Sequence, residues 1–392
     1  MLPRTFAVLP VFALAACGGS GWKGVSSGSK PTKRSMPDAG VTATHTAAPL
    51  SEDTLVFEVR VGSGASEIHA FDVATSQRRK VFTVADTTTW DLTDLALSPS
   101  RDTIAFSSHF GYDPMQFPLE DGLPTQSIWA VDVDGAAPRQ LMAPLADDRG
   151  AIECTHDSTC EPLGMKCSTV LSRCRDFART RTVSELVWSP DGAAVWFVYA
   201  DHDWQGTQLR GGTTLGRVAA TGGAPELFAA NGGCAQVTGP APHPVDGSLV
   251  AVQSVCTRGG ARMVRFDSMP PREGTELFSE ADVEFSIDLS DVEWARDGSG
   301  FIFGAWGGAF ASDAVVYLEA ATGTLYLAFE AGVGRWIESQ DLAPDGERMV
   351  VCVGETGADG EARRDLYLVD LTATTPSARR LTTDGRSCNA SW

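Results

Sequence analysis

LVWSPDG at residues 186–192, running straight into AVWFVYA at 194–200, reads as a strand, a tight turn and a second strand. In the turn Pro presets φ, Asp caps it through its side chain, and Gly takes the positive φ. Copies of the unit recur: LALSPSRD (95–102) before TIAFSS, PHPVDG (242–247) before LVAVQSV, VEWARDG (292–298) before FIFGAW, and DLAPDG (341–346) before MVVCVG. A third strand follows each pair, as in EIHAFDV (67–73), SIWAVDV (127–133), TLGRVAA (214–220), RMVRFDS (262–268), VVYLEAA (315–321) and DLYLVDL (365–371). A shorter fourth closes the unit, as in KVFTV (80–84), RQLMA (139–143), ELFAA (226–230), ELFSE (276–280), LYLAFE (325–330) and RRLTT (379–383).

Four antiparallel strands repeated about every fifty residues describe the blades of a β-propeller. The position before the Ser-Pro site falls at Leu97, Trp188, Pro242, Trp294 and Leu342, at intervals of 91, 54, 52 and 48 residues, the first of which conceals an insertion at 143–181. The fold opens with LVFEVRV (55–61), a second strand lacking its first, and the chain stops with NASW (389–392), a first strand lacking its turn. The expected fold is therefore all-β: a six-bladed β-propeller over 53–392, its ring closed when the C-terminal strand joins the N-terminal blade. Closure removes exposed sheet edges.

The SPDG turns after Trp or Leu, the (I/L)-(W/Y)-x-V-D strands before a Gly-rich turn, and the Arg-x-Leu-Thr strand resemble the repeats of TolB-like propellers across 54–392, with Ser189-Pro190-Asp191-Gly192 the full match. That resemblance implies either a protein-binding platform in the periplasm or a part of a peptidase or polysaccharide lyase, because a fold does not determine an activity.

The first sixteen residues, MLPRTFAVLPVFALAA, combine Arg4, a short apolar run and a small-residue cleavage site, an export signal too short to span a bilayer. With Cys17 they form Leu-Ala-Ala-Cys, which resembles the bacterial lipobox and implies diacylation of the Cys17 thiol, cleavage before it and acylation of the new amino group. Several acyl chains hold a protein to a membrane far better than one. Gly18 in place of Asp implies outer-membrane sorting in a Gram-negative cell, with the protein facing the periplasm or the cell surface. Residues 17–52 are the expected lipidated cysteine and flexible tether, rich in Gly, Ser, Thr, Pro and Ala. The 35 residues after Cys17 would span roughly 30–35 Å as a random coil.

The stretch after Cys17 is net +3, whereas residues 51–392 carry 26 basic and 49 acidic side chains within a chain of net charge −19. The acidic body argues against nucleic acid and against lying flat on anionic lipid. A monomeric propeller, no cofactor and no resident metal are expected.

Export places the remaining eight cysteines in an oxidising compartment. Cys154, Cys160, Cys167 and Cys174 are spaced C-x5-C-x6-C-x6-C in the insertion, wider than usual for zinc, and are read as staples of a segment too small for its own core. The pairing Cys154–Cys167 with Cys160–Cys174 is one of three patterns. Cys234–Cys256 would join one rim of a blade, and Cys352–Cys388 follows by elimination across neighbouring blades.

Strand direction sorts the connections onto two rims. The SPDG rim is trimmed to tight turns. The opposite rim carries 109–126, the insertion, 201–212, 306–313 and 355–364, and long connections on one face of a rigid scaffold are where binding usually resides. Its candidate binding face is Trp90, His109, Tyr112, Asp113, Asp201, His202, Asp203, Trp204, Trp306, Asp313 and Trp336, aromatics and acids suited to a protein, peptide or glycan ligand. Because the tether enters on the trimmed rim, the elaborated rim is expected to point away from the membrane. The six histidines are scattered, and a G-x-S-x-G match at 24–28 falls in the tether, where no nucleophile elbow can form. The reading is a lipid-anchored, non-enzymatic binding platform for a protein or an envelope polymer. The alternative is a hydrolase or lyase of peptide or polysaccharide at the mouth of the axial channel, which an ion held by His109, Asp201 and His202 would favour.

Overall fold

The computed structural model describes residues 47–61, 65–84, 92, 94–108, 126–143, 155–160, 166–168, 173–175, 179–205, 208–228, 235–255, 260–267, 274–287, 292–308, 310–373 and 377–392. At 65, 157, 166–168, 173–175, 179–181, 201–205, 208–211, 235 and 255 only the backbone is described. All of them belong to the unit Ala39–Trp392.

Six antiparallel sheets form the blades of a six-bladed β-propeller. Blade 1 orders Ser387–Ser391, Thr54–Val61, Ala65–Asp72 and Gln77–Val84 from the axis outward, so the last strand of the chain pairs with the first one described. Blade 2 is Asp94–Leu97, Thr103–Ser108, Ser127–Asp132 and Arg139–Met142, and blade 3 is Arg179–Trp188, Ala194–Gln205, Gln208–Ala219 and Glu226–Phe228. Blade 4 runs through Ala235–Pro242, Leu249–Val255, Ala261–Phe266 and Thr275–Ser279. In blade 5 the inner edge is split into Ser286–Ile287 and Glu293–Trp294, which pair with Gly300–Trp306, followed by Ala314–Glu319 and Thr324–Glu330. Blade 6 is Arg335–Leu342, Arg348–Thr356, Ala362–Asp370 and Ser377–Arg380. Among the described residues the one helix is the single turn Asp157–Cys160, and no helix is long and apolar enough to cross a membrane.

The apolar core lies between blades. Phe106 and Trp129 of blade 2 pack with Val56 and Ile68 of blade 1; Trp188 and Phe197 of blade 3 pack with Ala105 and Ile128 of blade 2. The same holds around the ring, ending with Phe57 and Trp392 of blade 1 against Val350 and Leu366 of blade 6. Second strands such as Thr103–Ser108 and Gly300–Trp306 are apolar on both faces because each sheet is covered on both sides.

The SPDG turns form as their chemistry requires. In the turn at 189–192 the Ser189 Oγ donates to Asp191 Oδ1 at 2.6 Å, Gly192 N donates to Ser189 O at 2.8 Å, and Gly192 has φ +68°. The blade 2 turn puts Arg101 at the glycine place with φ +60°, and its guanidinium donates to the carbonyls of Leu50 (3.3 Å), Ser51 (2.8 Å) and Thr54. Leu50 N returns a bond to Arg101 O at 2.9 Å. Residues from Ala47 onward, upstream of the expected boundary at 53, thus already lie against the trimmed rim, where Ala47 and Leu50 join the core between blades 1 and 2.

Two connections expected as loops are mostly strand. Residues 201–205 and 208–212 continue the blade 3 hairpin with pairing out to Gln205↔Gln208, so Asp201, His202, Asp203 and Trp204 are ladder positions. Residues 355–356 and 362–364 likewise extend the blade 6 hairpin, leaving a short turn between them. Backbone pairing continues wherever two antiparallel segments stay in register, even where the apolar pattern that marks a strand in sequence has stopped.

Candidate functional site

A cavity of about 370 Å³ occupies the propeller axis and is lined by the innermost strand of every blade and by the turns that follow it in blades 2 to 6. Its lining runs from Asp94, Glu185, Ser339 and Asn389 to Pro99, Pro190, Pro244 and Pro344, so the cavity reaches the trimmed, SPDG rim. That rim is the one against which residues 47–53 pack.

The lining is built by a repeated inter-blade clasp. Asp94 and Glu185 stand three residues before the marks Leu97 and Trp188, and Glu293, Asp341 and Ser391 stand one residue before Trp294, Leu342 and the equivalent Trp392; each of the five accepts a backbone N–H from the next blade. Asp94 Oδ2 accepts from Leu186 N at 2.6 Å and Oδ1 from Leu95 N at 2.7 Å. Glu185 accepts from Gly239 N, Glu293 from Leu342 N at 3.0 Å, Asp341 from Trp392 N at 2.8 Å, and Ser391 Oγ from Leu97 N at 2.9 Å. In blade 4 the corresponding places are Gly239 and Ala241. The tryptophan marks add a second layer: Trp188 Nε1 donates to Ala96 O at 3.0 Å, Trp294 Nε1 to Ala241 O at 3.1 Å, and Trp392 Nε1 to Glu52 O at 2.6 Å.

These carboxylates sit in a poorly solvated channel. Burial pushes Asp94 up to about 7 despite the amide bonds from Leu186, Leu95 and Glu185 that favour its charged form. Burial also pushes Asp341 upward, against hydrogen bonds from Glu293, Trp392, Ser391 and Leu342. Behind them Glu58, fully buried, accepts from Ser66 Oγ at 2.6 Å and Asn389 Nδ2 at 2.7 Å. The arginines in the lining are both engaged at the rim, Arg101 with backbone carbonyls and Arg296 with Glu52 at 3.5 Å.

Of the face expected on the opposite rim, Trp90, His109, Tyr112 and Asp113 lie outside the described residues, and Asp201, His202, Asp203 and Trp204 are described by backbone alone. Trp306 ends the second strand of blade 5, Asp313 precedes the third strand of that blade, and Trp336 lies at the start of the first strand of blade 6. Asp313 Oδ2 accepts from Ile337 N at 3.2 Å, and Trp336 Nε1 donates to Glu338 Oε1 at 2.8 Å. The Trp336 indole lies over Gly354, where a Cβ would come within 2.3 Å of it. Trp306 is 53% exposed and Val333, in the connection between these blades, 87%.

Cys352 and Cys388 form a disulfide, Cα atoms 5.2 Å apart, joining blade 6 to the C-terminal strand of blade 1. Cys160 is buried and disulfide-bonded, with its partner's side chain outside the described residues. Register sets Cys167 opposite Cys174. Cys17, Cys154, Cys234 and Cys256 lie outside the described residues. The one described grouping of three metal-ligand types, Glu338 with Cys352 and Cys388, has its sulfurs committed to that disulfide.

The acidic clasp lies outside the residues that the sequence marks as candidates. Its signal is present as an acid or serine one or three residues before the mark in DLAL, ELVW, VEWA, QDLA and NASW, but in a single strand it reads as an ordinary polar position.

No family model matches the sequence, and no curated protein matches it. Among solved structures the chain is similar to Kuenenia stuttgartiensis hydrazine synthase, with 14% identity, a TM-score of 0.54, 88% of this chain and 47% of that chain covered. It spans about half the length of that protein. It is also similar to an oligogalacturonate lyase from Vibrio parahaemolyticus (11% identity, TM-score 0.46, 86% and 83% covered). The β-propeller domain of the trilobed protease from Pyrococcus furiosus is a third such structure (10%, 0.45, 84% and 95%). At these identities the likeness is one of fold.

Proposed function

We propose that this protein is a lipoprotein of the bacterial envelope, held to the membrane through Cys17 on a tether of residues 17–52, whose TolB-like propeller binds a protein segment or an envelope polymer. The observation that carries the binding reading is the axial cavity, to which all six blades contribute and whose 370 Å³ lies within the range of ligand pockets. Residues 47–53 pack on the same rim, so a tethered propeller would turn this mouth toward its anchor and present Trp306, Asp313 and Trp336 outward.

A second reading, a hydrolase or lyase of peptide or polysaccharide at the channel mouth, is favoured by Asp94. A carboxyl that titrates near 7 in a concavity has the proton affinity of a general acid or base at neutral pH. Its two oxygens are occupied by amides, which supports the binding reading as the first choice.

The test is affinity capture from detergent-solubilised envelope using the full-length, Cys17-anchored protein. Two variants are compared: Pro190→Trp with Pro344→Trp, at turn positions on opposite blades of the mouth, and a protein with 109–126 and 201–212 shortened. Ligand lost only with the tryptophan pair places binding at the pocket; ligand lost only with the shortened segments places it on the aromatic rim. Unchanged recovery from both folded variants overturns the binding reading. Turnover of peptide or polysaccharide that Asp94→Asn abolishes replaces it with the second.

A further inference from the structure

We propose that His69 is a proton-operated release for the turn at 382–386, which leads into the strand that closes the ring. His69 lies on Ala65–Asp72 of blade 1 and is engaged at both ring nitrogens. Arg78 Nε, on the outer strand of the same blade, donates to His69 Nδ1 at 3.0 Å, and His69 Nε2 lies 2.8 Å from Glu67 Oε2. A guanidinium can only donate, so Nδ1 carries the lone pair and Nε2 carries the proton that it donates to Glu67. The geometry thus requires a neutral imidazole of one defined tautomer.

Arg78 is the arm that this imidazole holds in place. Its Nη1 donates to Asp384 Oδ2 at 2.8 Å, and its guanidinium lies 5.1 Å from the centre of the Phe57 ring, which also packs on His69. Asp384 in turn accepts from Arg386 N at 3.0 Å and from Ser387 Oγ at 2.8 and 3.0 Å. Ser387 opens the closing strand and is fully buried. A continuous chain of bonds therefore runs from His69 through Arg78 and Asp384 to the strand on which ring closure depends.

Proton uptake at Nδ1 would set one N–H against that of Arg78 and bring two cations into contact. Glu67 retains the imidazolium, so Arg78 is the group displaced and Asp384 loses its cation. The other charges around His69 do not relieve this. Lys80, directly opposite on the outer strand, adds a second positive charge and shares Glu67 at 3.1 Å. Across the junction Asp365 and Arg380 of blade 6 are paired with each other. Hydrogen bonds from His69 and Lys80 outweigh burial and hold Glu67 below the ordinary 4.5. Against the opposing pull of burial, bonds from Arg78, Arg386 and Ser387 hold Asp384 below the ordinary 3.8. Both remain ionised at pH 5, which leaves His69 as the member of the cluster that changes charge between pH 7.5 and 5. Burial, aided by Arg78 and Lys80 and opposed by Glu67, holds His69 below its ordinary 6.5. The folded state takes this proton less readily than the unfolded chain, so the stabilisation is complete above about pH 6.5 and is lost as pH falls through the lower folded value.

The test is amide hydrogen exchange of the full-length protein in detergent at pH 7.5 and 5, with the intrinsic pH dependence of exchange divided out. On acidification, opening of 381–392 should rise about fivefold more than that of the Leu249–Val255 strand in blade 4. His69→Gln, which cannot gain a charge, should remove that excess. Asp94 also changes charge in this range, in the axial cavity, and acts equally in both proteins. Arg78→Gln should loosen 381–392 at both pH values and erase the difference between them. An equal pH response in the natural protein and His69→Gln overturns the proposal. Should the variants not fold, nitrogen-15 resonances of the histidines in the natural protein decide it: one histidine should carry its proton on Nε2 at pH 7.5 and titrate below 6.5, and the absence of such a histidine overturns the proposal.

Discussion

Trp188 shows how one side chain serves sequence, packing and architecture together. Its ring belongs to the core between blades 2 and 3, while Nε1 donates to Ala96 O, a buried bond that no water can replace. Trp188→Phe keeps most of the apolar area and orphans that carbonyl, and should cost about 1–3 kcal/mol in urea unfolding at unchanged slope. Asp94 makes a pH prediction. Its folded value of about 7 lies above the ordinary 3.8, so the native state holds the proton more tightly than the unfolded chain does. Its contribution to stability is greatest below pH 4 and is lost as pH rises through 7. The melting temperature of the natural protein should therefore gain more than that of Asp94→Asn when pH is lowered from 7.5 to 5. Equal gains in scanning calorimetry would contradict the assignment. Arg101 departs from the SPDG pattern, and its left-handed backbone is held by the bonds to Leu50, Ser51 and Thr54.

At the scale of elements, the inner strands do two jobs. Each pairs with its own blade through backbone bonds, and five of the six reach the next blade through an acid or serine one or three residues before the mark. The clasp lacks its acid in blade 4, where Gly239 and Ala241 occupy the places and Val292 of blade 5 fills the space against Gly239 instead. The C-terminal strand carries several such interactions. Asn389 bonds to Glu58, Ser391 to Leu97, and Trp392 to Asp341 and Glu52. Cys388 is also tied to Cys352, across a sequence separation of 36 residues. Replacing both cysteines by serine should cost about 4 kcal/mol on the loop-entropy account, read as a lower denaturation midpoint, with the far-ultraviolet spectrum of the folded protein unchanged.

For the whole molecule, ring closure is the dominant constraint. With the core distributed over six junctions, no blade holds a core of its own, and every sheet depends on two neighbours to cover its faces. Opening the ring exposes both the inner edge of Thr54–Val61 and the apolar faces of blades 1 and 6. A chain ending at Arg386, without Ser387–Trp392, should lose cooperative unfolding and associate, which sedimentation velocity would register as species larger than the monomer. A monodisperse, cooperatively unfolding truncation would show that the other five junctions suffice. The closed ring also makes the cavity, since one inner strand from each blade is needed to wall it.

The repeat, the strand order within each blade, the blade number and the closing role of NASW are legible in the sequence because they depend on local chemistry. Alternating apolar residues, a proline and a glycine at fixed offsets, and a period near fifty act within a few residues of one another. The Cys352–Cys388 bridge could be reached only by elimination. The extent of the blade 3 hairpin was not legible, since DHDWQ lacks the apolar pattern of a strand while its backbone still pairs. The acidic channel belongs wholly to the tertiary structure. Asp94, Glu185, Glu293 and Asp341 are scattered through the chain, and only the packing of inner strands around one axis brings their charges into a shared, poorly solvated space. Burial is what turns four ordinary surface-type residues into the chemical character of the cavity.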